Sequence, residues 1–115
     1  MLDYAWFDSN NTPFDSKGVG TKLPNQLNIF DMSANVFEWC LDWSAENYYS
    51  VSLSSNLYGP SQGNMRAKRG GSFCCFSSTM RVAHRDEFIP NQADGDIGFR
   101  VVIFKEILLF VVIID

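Results

Sequence analysis

In Arg69-Gly70-Gly71-Ser72-Phe73-Cys74-Cys75 a paired glycine interrupts a short mixed run that begins at Met65. Adjacent glycines serve where a side chain would obstruct close backbone approach or where φ must be positive, so a strand with a kink is expected here. Ser72 beside them has the ordinary chemistry of a turn residue. Cys74 and Cys75 would point to opposite faces in an extended segment, and a bond between neighbours is strained, so they read as free thiols. Cys40 makes the cysteine count odd, and none of the three shows the Cys-x-x-Cys spacing of a zinc site.

Upstream, Phe37, Trp39, Leu41 and Trp43 alternate with Val36, Glu38, Cys40 and Asp42, the period of a half-buried strand. Ile29-Phe30-Asp31-Met32 leads into it through the small residues Ser33 and Ala34, where a bend over Ser33 to Asn35 is expected. Before that the chain is dominated by Asn, Asp, Ser, Gly and Pro and reads as irregular loop. Residues 45–62 read as a long surface loop, with Tyr58-Gly59-Pro60 as a turn signal. Downstream, Ile97, Phe99, Val101 and Ile103 alternate with Gly98, Arg100, Val102 and Phe104, the pattern of a closing strand. Asn91-Gln92-Ala93-Asp94-Gly95-Asp96 places two carboxylates around a glycine without EF-hand spacing, and reads as a solvated turn.

At 115 residues the chain builds at most one small domain, with 46% hydrophobic and 15% aromatic residues to bury. Nine basic residues against thirteen acidic ones give a net charge of −4, and the basic group at Arg66 to Arg69 is too loose for a nucleic-acid footprint. No export signal is visible at the start, which lacks both a basic flank and an apolar run of signal-peptide length. The apolar run in residues 104–115 is well short of the roughly 20 residues that span a bilayer. That tail reads as a buried strand, as a sticky end, or as reading frame beyond the domain end near Val102. The element list is thus α+β: a few short strands, one or two short helices, and long loops of the kind used for binding or catalysis.

Three motifs in fixed order, Asn35-Val36-Phe37-Glu38-Trp39, Arg69-Gly70-Gly71-Ser72-Phe73 and Gly98-Phe99-Arg100, resemble those closing the formylglycine-generating enzyme, or sulfatase-modifying factor, domain. Ala83-His84-Arg85 is also similar to a family pattern. The resemblance covers residues 4–102 and implies an irregular, loop-rich C-type-lectin-like fold. It matches only the C-terminal part of the family domain, so a missing N-terminal half is implied. Residues 1–103 are then the domain part and 104–115 the apolar tail.

A carboxylate in a strand just after a small-residue bend can meet backbone carbonyls of that bend, an oxygen set suited to calcium. The bland alternative leaves Glu38 on a solvated strand face and puts Phe37 and Trp39 in the core. By resemblance, a structural calcium site is implied from the main-chain carbonyls of Ala34 and Val36 and the side chains of Asp31 and Glu38, with Asn35 orienting the bend. Ala34 and Phe37 replace the family's usual Gly and Trp.

The family's oxidases hold copper(I) between two cysteines and convert a substrate cysteine to formylglycine. In that register Ser72 matches an active-site serine, Cys75 the first copper position and Met80 the second. A thioether binds copper(I) but is uncharged and cannot complete a bis-thiolate. Cys74 is not expected to replace it, being adjacent to Cys75 rather than a loop away. Arg69, Arg81 and Arg85 are candidate cations for lending a thiol thiolate character, while Arg85 and Arg100 read as structural ion-pair partners.

His84 is the only histidine, which disfavours a three-histidine iron site. Two functions follow: a family domain without copper-dependent oxidase competence, or a ligand-binding module similar to the C-type-lectin-fold variable proteins of diversity-generating retroelements. In the second, residues 74–96 form the binding face. Slow oxidation through Cys75, alone or with Met80, is a third reading. The partner is a peptide or protein substrate or a ligand, with no nucleic acid and no membrane span.

Overall fold

A computed structural model describes residues 1–46 and 59–102. Its regular structure is four short strands, β1 (Phe37–Trp43), β2 (Arg66–Arg69), β3 (Asp86–Phe88) and β4 (Ile97–Gly98), with 3-10 helices at Asp8–Asn10 and Ser77–Thr79. The strands form one mixed sheet in the order β3-β2-β1-β4. Strand β2 runs antiparallel to both β1 and β3, whereas β4 pairs parallel to β1, with Phe37 opposite Ile97 and Glu38 opposite Gly98. The apolar tail and the greater part of the 45–62 loop lie outside the described residues.

Strand β1 occupies the expected segment, but its alternation holds only in the first half. Phe37 is buried, while Leu41 on the same nominal face is exposed. The reason is a register shift: Trp39 pairs with Lys68 and Trp43 with Arg66, so β1 spends extra residues between the two pairs. A bulge of this kind re-aims the side chains that follow it.

Lys68, buried on β2, lies over the Phe37 ring at 4.0 Å and pairs with Asp86 of β3 at 3.3 Å. A lysine is retained at such a depth because its charge has both an aromatic face and a carboxylate.

The closing strand is shorter than the alternation predicts. Only Ile97–Gly98 pairs with β1, Phe99 is exposed, and positions 103 and 104 lie outside the described residues. The chain leaves the sheet after Gly98, where Arg100 turns to its own partners.

Away from the sheet, Ala5, Phe7, Ala34 and Met80 pack together with Cys75 against them. This small cluster is fixed by backbone hydrogen bonds between loops rather than by regular elements. Asn35 N donates to Trp6 O at 2.9 Å, Asp8 N to Cys75 O at 3.3 Å, and Ala34 N to Gly70 O at 2.7 Å.

Candidate functional site

Two turns meet at this cluster, and both candidate sites are built on them. The first spans residues 33–36 and carries positive φ at Ala34 (62°) and Asn35 (64°). Left-handed backbone costs an alanine roughly 1–2 kcal/mol, whereas asparagine tolerates it through local hydrogen bonds. Asn35 offsets that cost directly, accepting from Lys17 N at 2.8 Å and donating to Lys17 O at 3.0 Å.

The second turn follows the double glycine, with φ of 93° at Gly70 and 77° at Gly71. It is closed by Cys75 N donating to Ser72 O at 3.0 Å, and Phe73 N donates across to Asn35 O at 2.7 Å.

Asp31, Ala34, Val36 and Glu38 line one cleft of about 350 Å³, together with Gly20, Phe99 and Arg100. The sequence-derived calcium set is therefore brought together. Its charge is already partly answered, because Arg100 Nη2 donates to Glu38 Oε1 at 2.6 Å and Nε to both oxygens at 3.1 and 3.0 Å.

The same guanidinium donates to Phe30 O at 3.0 Å and Asp31 O at 3.1 Å. The hydrogen bonds to the Glu38 carboxylate foremost, with the Glu38 and Asp31 charges, raise the Arg100 guanidinium above its already high ordinary value, against the lowering effect of burial. Asp31 Oδ2 accepts from Gly20 N at 2.7 Å.

Among the described residues the carbonyls of Ala34 and Val36 accept no hydrogen bond outside the strand ladder. Two carbonyls with open acceptor capacity beside two carboxylates fit a hard cation. A carboxylate presents about four acceptor sites, so Glu38 can serve Arg100 and an ion together.

The thiol turn departs from the sequence reading. Cys74 and Cys75 both border one hydroxyl: Ser72 Oγ lies 3.0 Å from Cys74 Sγ and 3.5 Å from Cys75 Sγ. The opposite-face expectation assumed an extended segment, and the Ser72–Cys75 turn removes that premise.

Ser72 is completely buried and donates to Asp96 Oδ2 at 2.9 Å, while Cys74 Sγ reaches the same oxygen at 3.4 Å. Burial first, and then the Asp96 carboxylate, push the Cys74 thiol up, against a lowering contribution from Ser72.

Met80, at the second copper position of the resemblance, is a core residue with 3% exposure. A Cβ added to Gly71 would come 3.1 Å from Met80 Cγ, so the glycine lets the methionine seat.

Two further expectations change. Arg69 and Arg85 lower the Cys40 thiol, which burial, foremost, and Asp42 raise. Arg85 pairs with Asp42, and Arg69 donates to Val82 O at 3.1 Å. The 91–96 segment is more than a solvated turn, since Asp96 is half-buried, receives Ser72, and accepts from Phe37 N through its carbonyl at 2.7 Å. Its position immediately before the β4 pattern was the signal available in the sequence.

The chain matches the sulfatase-modifying factor enzyme 1-like domain over residues 2–105. It is 39% identical over 85 residues to the formylglycine-generating enzyme of Streptomyces coelicolor, covering 71% of this chain and 27% of that protein. It is 35% identical over 88 residues to serine/threonine-protein kinase pkn1 of Chlamydia pneumoniae, covering 75% of this chain and 14% of the kinase.

Among solved structures, Treponema denticola variable protein 1 superposes with a TM-score of 0.74 at 34% identity, over 84% of this chain and 34% of that one. PvdO from Pseudomonas aeruginosa, at 23% identity, shares the fold with a TM-score of 0.72, over 86% of this chain and 38% of that one. The chain thus spans about a quarter of the enzyme and about a third of these structures. The short mixed sheet, the loop-built core and these matches together make this chain a member of the sulfatase-modifying factor (formylglycine-generating enzyme) domain family, with its loop-rich C-type-lectin-like fold.

Proposed function

We propose that this is a formylglycine-generating-enzyme-like domain that does not carry out copper-dependent cysteine oxidation. The observation that carries the reading is Met80: the register that gives Cys75 the first thiol position gives the second to a thioether buried against Ala5, Phe7 and Ala34. A buried neutral sulfur supplies neither the charge nor the access that a bis-thiolate ion needs. Ser72, matching the family's active-site serine, holds Asp96 and the thiol turn in place. Copper, where bound in the family's oxidases, supplies oxygen chemistry, and Cys75 and Met80 are the residues that would face it here.

Calcium has a structural part in this reading. Asp31 and Glu38 side chains and the Ala34 and Val36 carbonyls would hold it, bracing the turn on which β1 begins. The implied N-terminal half of the domain would cover apolar surface such as Leu23, Leu27 and Met32, which is exposed here.

The test supplies copper(I), oxygen and a Cys-x-Pro-x-Arg peptide to the purified protein and follows formylglycine by mass spectrometry. No conversion is expected. Conversion that disappears in Cys75→Ser would overturn the reading and return the chain to the oxidases.

A second reading is favoured by the superposition on Treponema denticola variable protein 1. The chain would then be a ligand-binding variable protein of a diversity-generating retroelement, with residues 74–96 as its face. Near-identical gene copies differing only between Phe73 and Ile97 would support it, and copies bearing Cys at position 80 would count against it.

A further inference from the structure

We propose that Asp94-Gly95 is a self-modifying site, where the chain converts to isoaspartate through a cyclic imide, and that this conversion loosens the hold of Asp96 on Ser72. Both residues are exposed, in the loop that leads into β4. The Asp94 carbonyl accepts from Ile97 N at 3.2 Å, which makes Gly95 and Asp96 the central pair of a tight turn. Among the described residues neither the Asp94 carboxyl group nor Gly95 N has a hydrogen-bond partner. Apart from its chain neighbours, a Cβ built on Gly95 would meet nothing within 4 Å, so the ring has room to close.

The step needs only water. Gly95 N attacks Cγ of the protonated Asp94 carboxyl group; a C–N bond replaces a C–O bond, and the amide proton leaves with the hydroxyl as water. Water then adds to the main-chain carbonyl carbon of Asp94, and the original Asp94–Gly95 amide bond breaks. The main chain now runs through Cβ and Cγ, one methylene longer, and the former main-chain carbonyl has become a free carboxylate. No electrons are gained or lost.

The next carboxylate along is protected. The amide after Asp96 belongs to the β-branched Ile97 and is committed to Asp94 O. What the extra methylene reaches is the latch itself. Asp96 Oδ2 accepts from Ser72 Oγ at 2.9 Å, and the Asp96 carbonyl accepts from Phe37 N at 2.7 Å. Isomerisation removes the Asp94–Ile97 closure that sets Asp96 between them. Ser72 is completely buried, so displacing Asp96 leaves its hydroxyl only the weakly bonding thiols.

The inference goes beyond the proposed function and uses neither Cys75 nor Met80, so it holds whether or not the domain oxidises a peptide.

The test ages the full chain at neutral pH and physiological temperature beside the free peptide of residues 91–97. Isoaspartate is read by enzymatic methyl transfer from S-adenosylmethionine and placed by electron-transfer fragmentation of the tryptic peptide 86–100. Label at position 94 is expected, and its loss in Asp94→Ser and in Gly95→Ala, whose methyl group has open space but hinders ring closure. The aged parent should unfold at lower urea than the fresh protein, whereas Gly95→Ala should show no such shift. Asp94 still intact when the free peptide has converted overturns the proposal, as does label at position 94 undiminished in Gly95→Ala. An isomerised parent with the urea midpoint of the fresh protein overturns the coupling to Ser72.

Discussion

Arg100 grips Glu38 through three hydrogen bonds of 2.6 to 3.1 Å across 62 residues of sequence, and with the rest of its guanidinium holds the carbonyls of Phe30 and Asp31. One side chain thereby ties β1, the turn before it and the chain after β4. Arg100→Ala should cost roughly 2–4 kcal/mol of unfolding free energy, because it strands a half-buried carboxylate and removes charge-assisted bonds. Arg100→Lys should recover only part, lacking the planar fork. Urea denaturation reads both, and an Arg100→Ala loss below about 0.5 kcal/mol, the size of an ordinary surface change, would refute the assignment.

Calcium should raise the melting temperature, since a ligand bound only by the folded state stabilises by about 2.7 kcal/mol at 100 times its dissociation constant. The shift should vanish in Glu38→Gln. A parent protein whose melting is unmoved by added calcium or by a chelator would remove calcium from the 31–38 turn.

Gly71 is held at φ 77° with Met80 Cγ 3.1 Å from where a Cβ would stand. Gly71→Ala should destabilise by roughly 1–3 kcal/mol, combining positive φ with the displacement of a packed side chain. Coupling with Met80→Ala should be less than additive, because the truncated side chain no longer meets the new methyl. Strict additivity in the double-mutant cycle would show the two positions to be independent.

Cys40 gives stability a pH dependence. Its thiol is raised on folding, chiefly by burial, so above the ordinary thiol range the folded state binds more protons than the unfolded one. The contribution is fully present below about pH 8.5 and stability falls as pH rises beyond it. Urea midpoints should therefore drop more steeply from about pH 8.5 upward in the parent than in Cys40→Ser. Parallel curves would contradict the burial effect.

The strand at Phe37–Trp43, the bend before it and the glycine kink were legible because each is local: period-two alternation, small residues, and paired glycines. The family motifs supplied the loop-rich fold, which no periodicity could. What stayed hidden was set by contacts between distant segments. Leu41 is exposed because of a bulge measured against β2, and Asp96 matters because a buried Ser72 hydroxyl lies opposite it. The approach of both cysteines to Ser72 was not legible, because it depends on a turn hydrogen bond from Cys75 N to Ser72 O rather than on the extended backbone from which side-chain direction is read.

The parallel pairing of Phe37 with Ile97 has a kinetic consequence. A two-residue strand that must return across more than half the described chain meets its loop-closure entropy before any neighbouring contact rewards it. It is thus a late event in folding, and contacts formed late set how fast the native state is lost rather than how fast it is reached. An added methyl at Gly98, which would stand 3.0 Å from Val36 Cγ2, should accordingly act on the escape rate. The lifetime of the folded domain is then governed at its thinnest strand.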